Sequence, residues 1–193
     1  FLNRLARAME KRGFHVTRAL SVAEARAAVH LSAPAFAVVD LRLEDGNGLD
    51  VVDALREARA AAARDEVPVG AVLIGADGRV LARAGNRTRE LSDPTAHAEI
   101  LVIRAACATL GSERLPGARL WVTLEPCPMC AAAISAARIE VLYYGADDPR
   151  MGGVRHGARV FDHPQCHHRP QIVDGISAEE SRALLQEFFR ERR

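Results

Sequence analysis

The sequence predicts an α/β domain from about residue 49 onward, with a mixed sheet between helix layers. Three observations carry that expectation. Apolar runs of strand length alternate with helix-length segments from Val69 to the last residues. An Asp77-Gly78 pair joins two of the runs as a hairpin turn would. Helix boundaries are marked by Asp93-Pro94-Thr95 at a start and Gly111 at a stop.

Taken in order, Leu2, Leu5, Ala6 and Met9 repeat at helical spacing, and Gly13 follows as a C-terminal cap. Phe14 to Val16 reads as a short strand. Ser21-Val22-Ala23-Glu24 has the capping-box form, and its helix stops before Pro34. Ala35 to Leu41 is an apolar run suited to a parallel strand covered on both faces, and Glu44 to Gly48 is a turn. A helix starts near Leu49 and runs through the alanines, ending before Val67-Pro68. Val69 to Ile74 and Arg79 to Ala84 form the hairpin, with Asp77 and Gly78 supplying positive backbone dihedrals. Ala96 to Leu110 is a helix, Ala118 to Leu124 a strand, Pro128 to Arg138 a helix and Glu140 to Gly145 a strand. A loop rich in glycine and histidine runs to Gln171, and the last helix opens on a capping box from Ser177 to Glu180.

Composition bounds the function. Of 193 residues, 49% are hydrophobic and 26% charged, a globular balance that excludes disordered, collagen-like and repeat architectures. No apolar run approaches the roughly 18 residues of a membrane span, and the amino-terminal segment is charged and amphipathic rather than a signal peptide. A soluble, cytoplasmic protein without membrane contact is expected. With 26 basic and 25 acidic residues the net charge is +1, so contact with nucleic acid needs a local patch. The abundance of arginine, with Lys11 the only lysine, carries no functional weight. The chain opens on Phe1, as expected of a trimmed or processed product or a piece of a longer frame.

The chemistry gathers in two short stretches. His97-Ala98-Glu99 lies 30 residues before Cys127, and Pro126-Cys127-Pro128-Met129-Cys130 opens a helix of its own. One imidazole and two thiolates suit zinc, helix N-termini favour the thiolate form, and three protein ligands leave a fourth tetrahedral position for water. Glu99 is then the candidate proton carrier. Residues two apart on a regular helix point about 200° away from each other, so His97 and Glu99 share a site only where the helix is just beginning. Cys107, ten residues along the same helix, stands about 15 Å from His97 and is too far to ligate the same ion. Cys166 stays open as a fourth, structural ligand, and a redox use of Cys127 and Cys130 stays open as well.

The stretch from about residue 54 to 193 resembles the bacterial tRNA-specific adenosine deaminases of the cytidine deaminase-like superfamily. The matching motifs are Glu66-Val67-Pro68-Val69-Gly70-Ala71-Val72, Gly85-Asn86-Arg87, Asp93 to Ile100, Thr123 to Cys130, and the closing Phe188-Phe189-Arg190. The resemblance implies a three-layer α/β/α fold with a mixed five-stranded sheet. It implies one zinc per subunit on His97, Cys127 and Cys130, and Glu99 as proton shuttle. Asn86, Val67, Ala98 and Asp148 are implied to hold the substrate nucleotide. Hydrolytic conversion of a wobble adenosine to inosine, on an arginine tRNA and by a homodimer, is the expected function. The arginines Arg150, Arg190, Arg192 and Arg193 are expected to meet phosphates, each adding a salt-sensitive contact. His163, Cys166, His167 and His168 read as a substrate-facing loop rather than a second metal site. A guanine or other small-molecule nucleobase deaminase of the same fold is the nearest alternative.

Residues 1 to 56 resemble another family, the receiver domains of response regulators, and would form a partial, flavodoxin-like βα segment. Val38-Val39-Asp40-Leu41-Arg42-Leu43 and Asp45-Gly46-Asn47-Gly48-Leu49 match the phosphoacceptor strand and the loop after it, with Asp40 at the acceptor position. The piece lacks the receiver's acidic pair, switch hydroxyl and lysine. Asp40 is therefore not expected to be phosphorylated, and a phosphorylation-controlled signalling protein is the less favoured function.

Overall fold

The structure, a computed structural model, describes residues 2–18 and 48–192. The capping box expected at Ser21 to Glu24, the strand Ala35 to Leu41 with Asp40, and most of the turn before Gly48 lie outside the described residues. The chain divides into two units, residues 1–49 and 50–193. In the first, helix α1 (Leu2–Glu10) forms as its apolar spacing predicts, and Gly13 closes it with φ 85°. Phe14 to Val16 is not a strand: an extended segment becomes one only by pairing, and none of the described residues pairs with it.

The second unit is a mixed sheet between two helix layers. Helix α2 (Gly48–Ala63) leads into β1 (Gly70–Ile74) and β2 (Val80–Gly85), followed by α3 (Ala98–Leu110) and β3 (Arg119–Leu124). Helix α4 (Pro128–Ala136), β4 (Val141–Ala146), β5 (Gln171–Val173) and α5 (Ala178–Arg190) complete it. The strand order is β2-β1-β3-β4-β5, with β1 antiparallel to β2 and β3, and β4 parallel to β3 and β5. Among the described residues no helix is long and apolar enough to cross a membrane.

Side-chain alternation along the strands sorts the two faces. Ala71, Leu73, Leu120, Val122, Leu142 and Tyr144 pack with Val102 and Ala106 of α3 and with Ala131 and Ile134 of α4 in one buried cluster. The opposite face is built for close approach. A Cβ on Gly70 would stand 2.1 Å from the Ala54 carbonyl of α2, and one on Gly85 would stand 2.5 Å from that of Glu57. Helix α5 covers β4 in the same way, with Ser181 Oγ 2.6 Å from where a Gly145 Cβ would be.

Three local expectations are corrected. In the hairpin only Gly78 has positive φ (80°), and the register slips at Leu73/Ile74, so the turn is a bulged one instead of a two-residue mirror-image turn. Helix α3 starts at Ala98 because Asp93 Oδ1 accepts from the Thr95 amide (2.8 Å) and hydroxyl (2.7 Å), closing a local turn before the helix begins. Ser177 precedes α5 in the left-handed region (φ 52°) and makes no side-chain cap, because a capping hydroxyl needs an extended residue to reach back to the helix amides. β5 was not foreseen; it begins at Gln171, where the expected loop ends, and is held by pairing with β4.

The register brings the chemistry to one end of the sheet. Gly70 faces Gly85 across β1 and β2, Ala71 faces Val122, and Leu124 faces Ala146. The start of β1 therefore meets the ends of β2, β3 and β4, where Val67, Asn86, Cys127 and Asp148 follow or precede the strands.

Candidate active site

Two helix entries build the centre of the site by the same device. His97 is the N-cap of α3, extended at φ −72°, ψ 151°, and Cys127 is the N-cap of α4, extended at φ −67°, ψ 169°. Neither uses its side chain as a cap, so both side chains are left to meet each other. His97 Nδ1 stands 3.7 Å from Cys127 Sγ and 3.5 Å from Cys130 Sγ. A tetrahedral ion with metal–nitrogen and metal–sulfur lengths of about 2.0 and 2.3 Å requires a nitrogen–sulfur edge of about 3.5 Å, so the three groups fit zinc. Because His97 precedes the regular helix and Glu99 lies in its first turn, the two share a site in spite of their spacing.

Electrostatics supports the fit. The Cys130 thiol and the His97 ring bonded to Cys127 bring its thiol down to about 4, against the cost of its burial. The same contact, reinforced by burial, pushes Cys130 up. The Cys127 sulfur beside Nδ1 raises His97. Burial pushes the Glu99 carboxyl up; the residue is 3% exposed, and its Oε2 has no hydrogen-bond partner. An orphaned carboxylate oxygen beside three metal-ligating groups is the signature of a site completed by something outside the chain.

The other expected residues separate into groups. Asn86 is buried, and its Oδ1 accepts from the Ala98 amide at 2.8 Å, satisfying a donor at the start of α3. The Ala98 N–H is therefore spent on Asn86. Val67 is half-buried and packs on the core cluster. Asp148 Oδ1 accepts from the amides of Arg150 and Met151, both at 3.1 Å, so it shapes its own turn. Arg150 and Arg190 are exposed. Arg192 is committed elsewhere: it pairs with Asp65, donates to the Phe188 carbonyl and lies 3.6 Å over the Phe188 ring. Arg193 lies outside the described residues.

Among the described residues, Cys107 and Cys166 do not join the His97 group. Cys166 Sγ instead donates to the His168 carbonyl at 3.0 Å, and His168 Nε2 bonds the Ile139 carbonyl at 2.6 Å. The four residues of the His163–His168 stretch form no metal-ligating group. A cavity of about 460 Å³ beside them, lined by Ala132, Ser135 and Val160 among others, contains none of the three candidate ligands.

Two buried carboxylates escaped the sequence reading. Glu66 accepts from Thr88 Oγ1 (3.0 Å) and from the Arg89 and Glu90 amides (both 2.8 Å), fixing the loop after Asn86. Glu125 does the same for the loop after β4. Their partners lie 22 to 31 residues further along the chain, so no local pattern marks them.

Residues 51–146 match the model for the cytidine and deoxycytidylate deaminase zinc-binding region. A tRNA-specific adenosine deaminase of Agrobacterium fabrum is 65% identical over 140 residues, covering 72% of this chain and 91% of that protein. One from Bacillus subtilis is 43% identical over 141 residues, covering 73% and 87%. A solved structure from a study of A-to-I editing by tRNA:A34 deaminases at the wobble position of transfer RNA aligns with a TM-score of 0.69 at 63% identity, covering 70% of this chain and 98% of that one. The chain thus belongs to the tRNA-specific adenosine deaminases, within the zinc-binding cytidine and deoxycytidylate deaminase family.

Proposed function

We propose that the protein converts the wobble adenosine of a tRNA anticodon to inosine by zinc-dependent hydrolytic deamination, with one zinc per subunit on His97, Cys127 and Cys130. The buried, unpartnered Glu99 oxygen beside that triad is the observation that carries the reading. Zinc, when bound, supplies a Lewis acid that makes water a nucleophile near neutral pH. Glu99 takes a proton from the attacking water and delivers it to the purine. Water adds at C6, ammonia leaves, and the exchange of amine for oxygen leaves inosine. A carboxyl raised by burial holds that proton nearer the working pH than an exposed one does.

Asn86, Val67 and the Ala98 segment wall the base, and Asp148 stands by the nucleotide backbone. Arg150, Arg190 and Arg193 meet phosphates; Arg192, being paired with Asp65, contributes by anchoring the end of α5. The substrate is read as an arginine tRNA and the working form as a homodimer, both carried over from the family resemblance. The domain is assigned to residues 54–193. Residues 1–56 are read as a receiver-like segment.

The test is an anticodon stem-loop of arginine tRNA offered beside free guanine, with sedimentation to count subunits. Inosine at the wobble position supports the reading. Guanine converted to xanthine with the stem-loop untouched transfers the site to the small-molecule deaminases.

A further inference from the structure

Glu125 follows the last residue of β3, and its side chain is 0% exposed. Its Oε1 accepts from the amides of Val154 (3.1 Å), Arg155 (2.8 Å) and His156 (2.9 Å). Its Oε2 accepts from the Asp148 amide (3.0 Å) and pairs with His156 Nδ1 (2.7 Å). Asp147 lies close enough to make a cation cluster with Glu125 and His156, but both Glu125 oxygens are already engaged, so the group is a hydrogen-bonded latch.

The latched segment is held by hydrogen bonds rather than by regular secondary structure. Between Ala146 and Val160 there is no helix or strand. Two glycines let it settle, one on the carboxylate and one on the chain beside it: a Cβ on Gly152 would stand 2.5 Å from Glu125 Cδ, and one on Gly153 would stand 2.6 Å from Pro128 N. The Gly153 amide donates to the Pro126 carbonyl at 2.8 Å, and Arg155 reaches out to Asp174 at 2.6 Å. One side of this loop carries Asp148 and Arg150; the other touches the Cys127 turn.

We propose that Glu125 is a positioning residue for RNA binding: it fastens the Asp148–His156 loop to the Pro126–Cys127 turn and sets where Asp148 and Arg150 stand relative to the reacting base. This rests on reading Asp148 and Arg150 as RNA contacts. Both Glu125 oxygens are taken up by the loop. Its removal therefore raises KM for the RNA and spares the chemical step.

The experiment uses the zinc-loaded full chain. Glu125→Gln keeps the shape and one acceptor oxygen but turns an amino group toward the Asp148 amide. Zinc content stays at the parent level, kcat stays within about three-fold, and KM for the stem-loop rises about ten-fold. His156→Ala raises KM about three- to five-fold, and His156→Asn, whose amide still donates to Oε2, restores it to within about two-fold. An unchanged KM in Glu125→Gln, or zinc and kcat lost with KM intact, overturns the proposal. Should Glu125→Gln not fold, equal KM values for His156→Ala and the parent overturn it. Hydrogen exchange separates this from the functional reading, because it needs no substrate. The amides of Asp148, Val154, Arg155 and His156 exchange at least about ten-fold faster in Glu125→Gln or His156→Ala if the latch is real. Unchanged exchange sinks the latch, whereas a parent protein that makes no inosine sinks only the proposed function.

Discussion

His97 and Cys127 show how much a single backbone state decides. Each is extended at a helix entry, and each leaves its side chain uncapped, so nitrogen and sulfur from separate helices meet at 3.5 to 3.7 Å. With Cys127 as one of three proposed zinc ligands, Cys127→Ala should lower the zinc found by elemental analysis well below that of the parent. Glu99→Ala should keep the zinc and the fold while activity falls by about two or more orders of magnitude, the scale for losing a general acid or base. Loss of zinc together with activity would recast Glu99 as a structural group. The meeting of His97, Cys127 and Cys130 was legible because residue types suited to a metal stand in two short stretches of the sequence. Glu66 and Glu125 were not, because their burial exists only once loops distant in sequence, 88–90 and 148–156, fold over them.

At the scale of elements, close packing of α2 on β1 rests on a missing side chain. Gly70→Ala places a carbon 2.1 Å from the Ala54 carbonyl and 2.4 Å from the Ala58 amide, both backbone atoms that cannot rotate away. Urea melts should show a loss of about 1–3 kcal/mol, the range for overpacking a filled core. The Thr88–Glu90 turn depends instead on charge. Burial alone would push the Glu66 carboxyl up, but the Glu90 and Arg89 amides and the Thr88 hydroxyl hold it below the ordinary range. A depressed carboxylate stabilises the fold above its unfolded pKa and loses that contribution as pH falls through the folded value. The stability gap between the parent and Glu66→Gln should therefore be widest near neutral pH and close on acidification below about pH 4; a gap independent of pH would contradict this. The long elements were readable from apolar period and from glycine and proline stops. β5 was not, since three residues of pattern exposed, half-buried, half-buried carry no period of their own and are held by β4. Ser177 misled for a related reason: the capping-box letters are present, but the turn before α5 puts the serine in the wrong backbone region.

For the whole molecule, the deaminase relatives fit within part of the chain. The A-to-I editing structure is 98% covered by 70% of this sequence, and the division between units falls at Leu49/Asp50. Removing residues 1–48 should leave zinc content intact and deamination within a few-fold of the parent, because every proposed ligand and the proton carrier lie beyond residue 90. A soluble, zinc-loaded truncation without activity would make the amino-terminal segment part of the working enzyme. Hydrolysis at a wobble adenosine takes its new oxygen from solvent, so water labelled with oxygen-18 reports it. Nucleoside mass spectrometry of the anticodon stem-loop after incubation in that water should find inosine at the wobble position carrying the heavy oxygen in the parent and almost none with Glu99→Ala. Adenosine left intact by the zinc-loaded parent, or inosine without the label, would contradict it.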